Sequence, residues 1–281
     1  MKQQNRLFVA NKPIFTSSNQ FMYRFKRRFK TKKVGYSGTL DPFATGCLIV
    51  ATGQYTKLFS YLAKTPKTYR ATLWLGAYSE TLDIEKVSKI KSIPKLNEKD
   101  IRGVFESMLG EIEYIPPKYS AKMVDGKRAY QLARDNINPK LKEIKSKIYR
   151  IQLLNYSHPF IHFEIEVSEG SYIRSIAQII AKRLKAIGTL SSLSRTKEGR
   201  FFYQNEVLLN PLDYLAIEKN IHLKGEESLR LGHKLRREDF KNSNLGVYFV
   251  EGSDFFSIIE IAEEKVKYRL NLIKKGKSDI S

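Results

Sequence analysis

A chain of 281 residues, 42% of them apolar, is long enough for one large core or for two domains of unequal size. Lysine and arginine number 50 against 29 acids, and a net charge of +21 points to an anionic polymer as partner. No apolar run approaches the ~20 residues of a membrane span or forms a secretory core; the single cysteine, Cys47, excludes an internal disulfide, and four scattered histidines (His158, His162, His222, His233) give no metal-ligand spacing, so a metal-free protein in a reducing cytoplasm is expected.

In chain order, Leu7-Phe8-Val9 reads as a strand. Thr16 or Ser17 is suited to cap a helix in which Phe21, Phe25 and Phe29 recur every four residues, a spacing that predicts one buried aromatic stripe. From Arg24 to Lys33, seven of ten residues are Lys or Arg. Their charges fall on the other face and are expected to meet phosphates. Next comes Gly38-Thr39-Leu40-Asp41-Pro42-Phe43-Ala44-Thr45-Gly46, with one carboxylate on a turn rich in glycine and small residues. The segment Pro42–Thr56 carries no charge, and Cys47-Leu48-Ile49-Val50-Ala51 within it predicts a buried strand. A lone acid there suggests a nucleophile or base offered to the polymer; an inert Asp-Pro turn is the alternative.

Tyr69, Ala71, Leu73 and Leu75 alternate with Arg70, Thr72 and Trp74, as a two-faced strand requires, and Ile161, Phe163, Ile165 and Val167 alternate in the same way. On pattern alone Tyr69 is a core tyrosine. One helix is expected from Asn97 through Ile101, Val104, Phe105, Met108 and Leu109. A second carries Ile173, Ile176, Ile180, Leu184 and Ile187, with Gly188 as its stop. The strands and helices keep no βαβ rhythm, so the fold class is α+β. A seam follows Pro211, and residues 219–229 are polar and weakly patterned. Residues 1–210 form the expected main domain and 228–276 a small β-rich module, ending in a basic tail.

Several blocks together carry a resemblance. Lys12-Pro13, Thr16-Ser17 and the run Val34 to Gly46 are followed by Gly53 to Lys57, Lys67-Thr68-Tyr69-Arg70-Ala71, Pro116 to Ala121, Gly126 to Tyr130, Gly170 to Ser175 and Leu193-Ser194-Arg195. Over residues 6–205 this series resembles the bacterial tRNA pseudouridine-55 synthase family. The resemblance implies an isomerase that flips a T-loop uridine of tRNA, breaks its glycosidic bond and rejoins the base to the sugar through carbon. It implies no cofactor and no metal.

Asp41 matches the family's nucleophile, and a carboxylate is ionised at neutral pH without help from a base. The resemblance leaves open whether it attacks the sugar, attacks the uracil ring or assists a glycal. Arg174 matches the arginine that pairs with that aspartate, here expected in the first turn of the Ile-rich helix and able to grip the carboxylate bidentately. Tyr69 matches a tyrosine that stacks on the target base. Tyr172, Leu193 and Lys12 match further substrate-binding positions. Tyr36 stands where the family usually has the histidine that fills the gap left by the flipped base. Ile14, Asn11 and Ser79 are milder departures. Residues 118–145 correspond to an RNA-contacting insertion, and the C-terminal module resembles a short PUA-type RNA-binding domain. A monomer suffices for all of this. A non-catalytic tRNA-folding or RNA-binding protein, or a synthase acting on another RNA, are the rival readings.

Overall fold

The computed structural model describes residues 4–124, 126–135 and 137–276. The basic tail expected after 276 lies outside them. Strand β1 (Arg6–Lys12) leads to helix α1 (Ser18–Arg28), then to β2 (Val34–Tyr36), β3 (Thr45–Thr52) and β4 (Lys67–Leu75). The pair β5 (Ala77–Ser79) and β6 (Val87–Ile90) precedes α2 (Glu98–Glu106) and β7 (Gly110–Tyr114). A small hairpin, β8 (Met123–Val124) and β9 (Lys127–Arg128), leads to α3 (Ala129–Arg134). Then come β10 (Ile144–Ser157), β11 (Phe160–Val167), α4 (Ile173–Arg183) and β12 (Gly188–Glu198). The chain finishes with β13 (Glu218–Asn220), α5 (Gly225–Arg230), β14 (Gly246–Glu251), β15 (Phe255–Ile261) and β16 (Val266–Lys274).

Alternation sets the main sheet. In β11 the apolar residues Ile161, Phe163, Ile165 and Val167 are all fully buried, and the residues between them are not. Their strand lies between β4 and β10 in an eight-stranded sheet ordered β1-β3-β12-β4-β11-β10-β7, with β2 also on β3. Only the short β3–β12 contact is parallel. It places Thr45 and Gly46, just past the Asp41 turn, beside Ser194 and Arg195. The fold is therefore α+β, with a mixed, mainly antiparallel sheet and helices packed on it.

Helix α1 begins as expected. Ser17 caps it through a reciprocal box with Gln20, and Phe21 and Phe25 are buried with Phe29 packed beside them. Its basic face is partly engaged within the protein, because Arg24 and Arg28 both pair with Glu206.

Two helix ends differ from expectation. Helix α2, capped by Asn97, stops at Glu106; Met108 still reaches the core but Leu109 is half exposed. Helix α4 ends at Arg183, with Leu184 as its cap, not at Gly188. Lys185 takes φ 56°, and the Ala186 N–H returns to the Ala181 carbonyl at 2.9 Å, closing the helix through a left-handed residue. Gly188 instead opens β12, where a Cβ would stand 2.8 Å from Leu73 Cδ1.

Strands β13 to β16 make a second, four-stranded sheet. The polar stretch 219–229 is not plain linker, since Glu218–Asn220 pairs in parallel with β14. This small β-rich module shares a core with the main sheet: Phe249, Phe256, Ile258 and Ile273 pack with Leu7, Val9, Tyr55 and Leu58. Among the described residues no helix is long and apolar enough to cross a membrane.

Candidate active site

The Asp41 turn is fastened at both ends. Ser18, the first residue of α1, both donates to the Leu40 carbonyl (3.2 Å) and accepts from the Leu40 N–H (3.0 Å). The Ala44 N–H closes the turn on the Asp41 carbonyl at 3.0 Å. Gly46, at φ 105°, lets β12 approach, for a Cβ there would lie 2.3 Å from the Arg195 carbonyl.

Lys12 holds the turn from beneath. Its ammonium is wholly enclosed and donates to the carbonyls of Pro13 (2.8 Å), Thr16 (2.6 Å) and Pro42 (3.2 Å). All three donors are thus used inside the protein, so the substrate contact expected of Lys12 has no free N–H. Burial lowers its pKa to about 8, against the pull of Asp41. Lys12→Met should cost about 2–3 kcal/mol, seen as a lower melting temperature, because three carbonyls lose a charged donor. Between pH 8 and 10.5 the folded ammonium loses its proton while the unfolded chain retains it. Wild type should therefore gain stability relative to Lys12→Met as pH rises through that window; a constant difference would contradict this placement.

Asp41 remains about one-third exposed, and its Oδ1 accepts from Arg174 Nη2 at 2.8 Å. Arg174 is buried in the first turn of α4. Its grip on Asp41 is single, not bidentate, because the guanidinium is shared. Nη2 also donates to the Tyr119 carbonyl (2.8 Å), and Nη1 donates to the Thr81 carbonyl (2.8 Å) and to Asp83 Oδ2 (3.3 Å). Asp83 is buried, and burial raises its pKa despite a bond from Thr81 and the nearby guanidinium. One arginine thus joins two carboxylates at the larger cavity, one about a third exposed and one almost fully buried.

Asp41 and Arg174 stand between two cavities and line both. The first, about 490 Å³, contains Tyr36, Phe15, Tyr130 and Arg134. The second, about 290 Å³, contains Tyr69, Tyr172, Leu193, Lys67 and Arg195. Tyr36 is therefore separated from Tyr69, Tyr172 and Leu193, and its hydroxyl donates to Asn19 Oδ1 at 3.0 Å. Tyr69 is 7% exposed, and burial raises its hydroxyl pKa. Lys67 and Arg195 stand in the motif blocks without an expected role, and Asp83 lies outside those blocks; each is distant from Asp41 in sequence and is brought in by a neighbouring strand or turn. Among the described residues no group of three His, Cys, Asp or Glu side chains could hold a metal ion.

A family model described as TruB family pseudouridylate synthase (N terminal domain) matches residues 26–173. The chain is 59% identical over 271 residues to the tRNA pseudouridine synthase B of Sulfurovum sp. (strain NBC37-1), covering 96% of this chain and 98% of that protein. It is 48% identical, over 96% of this chain and 99% of the other, to the protein of the same name from Campylobacter jejuni subsp. jejuni serotype O:6 (strain 81116 / NCTC 11828). Among solved structures, a chain from a Cbf5-Nop10-Gar1 complex matches with a TM-score of 0.67 at 19% identity, over 96% of this chain and 84% of that one, a likeness of fold. These matches make the protein a pseudouridine synthase, an isomerase that acts on RNA. Within that class the chain belongs to the TruB family.

Proposed function

We propose that the protein isomerises uridine 55 in the T loop of tRNA to pseudouridine, with Asp41 as nucleophile. The observation that carries this reading is a half-open carboxylate, tied to a buried arginine 2.8 Å away, at the junction of two cavities. One cavity offers Tyr69, Tyr172 and Leu193 as walls for a flipped uracil. A base in a folded loop must be extruded at a cost of a few kcal/mol, and aromatic faces recover part of it by stacking. Tyr36, across Asp41, is suited to fill the vacated stack.

In the reaction the C1′–N1 bond breaks, the uracil turns, and C5 bonds to C1′. The hydrogen on C5 leaves as a proton and N1 regains one, so the product has the mass of the substrate. Asp41 supplies an anionic oxygen, and Arg174 keeps it aimed while its other nitrogen pairs with Asp83. The names of the relatives support tRNA as the RNA; the matched motif blocks support the T-loop uridine.

Mapping pseudouridine in RNA from a strain lacking the gene tests the assignment. Loss confined to tRNA position 55 is expected. An unchanged map would favour a non-catalytic RNA binder, and loss elsewhere would favour a synthase with another target. The charge of +21 also sets a salt dependence. Affinity for tRNA should fall roughly 10²–10³-fold between 50 and 200 mM salt, as several phosphate contacts require. A change below about threefold would contradict phosphate-dominated binding.

A further inference from the structure

Strand β12 breaks its alternation against β4 twice, between Leu190 and Ser192 and again beside Arg195. Between Arg195 and Lys197 its register against β4 slips, leaving Thr196 as an extra residue. In a regular strand, residues three apart face opposite sides. Here Arg195 and Glu198 both turn inward and are 1% and 0% exposed. A buried ion pair is weak grounds for added stability, whereas bulges commonly re-aim side chains beside active sites.

The contacts of the pair show what it reaches. Glu198 lies 2.7 Å from Arg195 Nη2 and 3.3 Å from Lys67 Nζ, and it accepts from Ser37 Oγ at 2.9 Å. Arg195 donates from Nε to the Cys47 carbonyl (2.9 Å) and from Nη2 to the Gly38 carbonyl (3.0 Å). Tyr69 is its register partner on β4, so the two side chains leave the sheet on the same face, and both line one cavity. The pair therefore fastens both ends of the Asp41 loop, at Ser37–Gly38 and at Cys47, to the strand that carries Tyr69. A guanidinium has donors only. Where the guanidinium meets the Tyr69 oxygen, that oxygen can only accept, which leaves the tyrosine O–H to donate into the cavity that Tyr69, Arg195 and Asp41 line together.

Building on the function proposed above, we infer that Arg195, held by Glu198, is a positioning residue: it fixes the Tyr69 oxygen and turns its hydroxyl proton toward the nucleotide bound over Asp41. Neither Arg195 nor Glu198 needs to touch the reacting atoms. A purely structural pair would lower stability and RNA affinity without regard to the Tyr69 hydroxyl; a positioning pair loses most of its effect on the rate once that hydroxyl is removed.

A double-mutant cycle separates the two. A T-arm hairpin carrying tritium at uridine C5 releases it to water when C5 joins C1′, giving a single-turnover rate. Arg195→Lys and Glu198→Gln should each lower that rate roughly 10²-fold, the scale for losing one oriented donor, with hairpin Kd within about twofold. In a Tyr69→Phe background the same changes should lower it by less than about twofold further. All variants are assayed below their melting temperatures, and Glu198→Gln, which preserves volume, supplies the cycle should Arg195→Lys fail to fold. A second full loss in the Tyr69→Phe background, or a fall in affinity that accounts for the single-variant effect, would overturn the inference alone. Wild-type protein that releases no tritium would overturn the functional reading and the inference with it.

Discussion

Asp41→Asn should reduce pseudouridine formation by at least ~10⁴-fold while changing RNA affinity by no more than about threefold, in line with the loss of a reacting group rather than a binding group. The geometry gives reasons for both halves. Asparagine keeps the volume of the side chain and an oxygen that Arg174 Nη2 can still reach, so the turn should persist. Arg174 retains Asp83 and the carbonyls of Thr81 and Tyr119 when the Asp41 charge is gone. Asp41 itself is about one-third exposed, so removing its charge disturbs folding little. What disappears is the anionic oxygen between the two cavities. Turnover by the variant within tenfold of wild type would remove Asp41 from the chemistry.

The second large effect concerns folding. Ending the chain after residue 216 should yield insoluble or unfolded protein, although every residue of the candidate site would remain. The truncation strips Phe249, Phe256, Ile258 and Ile273 from the back of β1 and β3. At about 1.5–3 kcal/mol for each buried side chain, the loss is about 6–12 kcal/mol, comparable with the whole stability of a typical protein. Polar ties go as well: the Asn5 side chain donates to the Lys274 carbonyl at 2.6 Å, and the Gly276 N–H donates to the Tyr55 hydroxyl at 2.7 Å. A soluble truncated protein with a cooperative melting transition near that of the full chain would contradict the shared core. The module thus has a structural reason to be present whatever its contacts with RNA.

Local signals explain which features could be read from the chain. The β11 alternation, the Ser17 cap and the Phe21–Phe25–Phe29 stripe depend on neighbours a few residues away, and the structure follows each of them. The contact between Asp41 and Arg174 joins residues far apart in sequence, and only the family resemblance pointed to it. Pattern alone would have left Arg174 as a surface ion pair. The division of its guanidinium between Asp41 and Asp83 depends on three separate turns meeting, which no local spacing encodes. The Arg195–Glu198 pair was hidden for a different reason: the extra residue Thr196 between them inverts the parity on which strand reading relies. Gly188 misled because a glycine near a helix end resembles a stop, while its lack of a side chain actually serves close packing against Leu73 and Ala181. Lys12 is a substrate contact only by the family resemblance; the three enclosed carbonyls that take its N–H groups are brought to it by folding.

With the carboxylate held by Arg174 as its reacting group, the protein should isomerise one uridine of the T arm. The most direct test is to incubate purified full-length protein with an unmodified T-arm hairpin and map every uridine of the recovered RNA. Conversion of the uridine at position 55 alone, with the mass of the RNA unchanged, is the expected result. A hairpin bound but left with no pseudouridine, or modified at a different uridine, would contradict it.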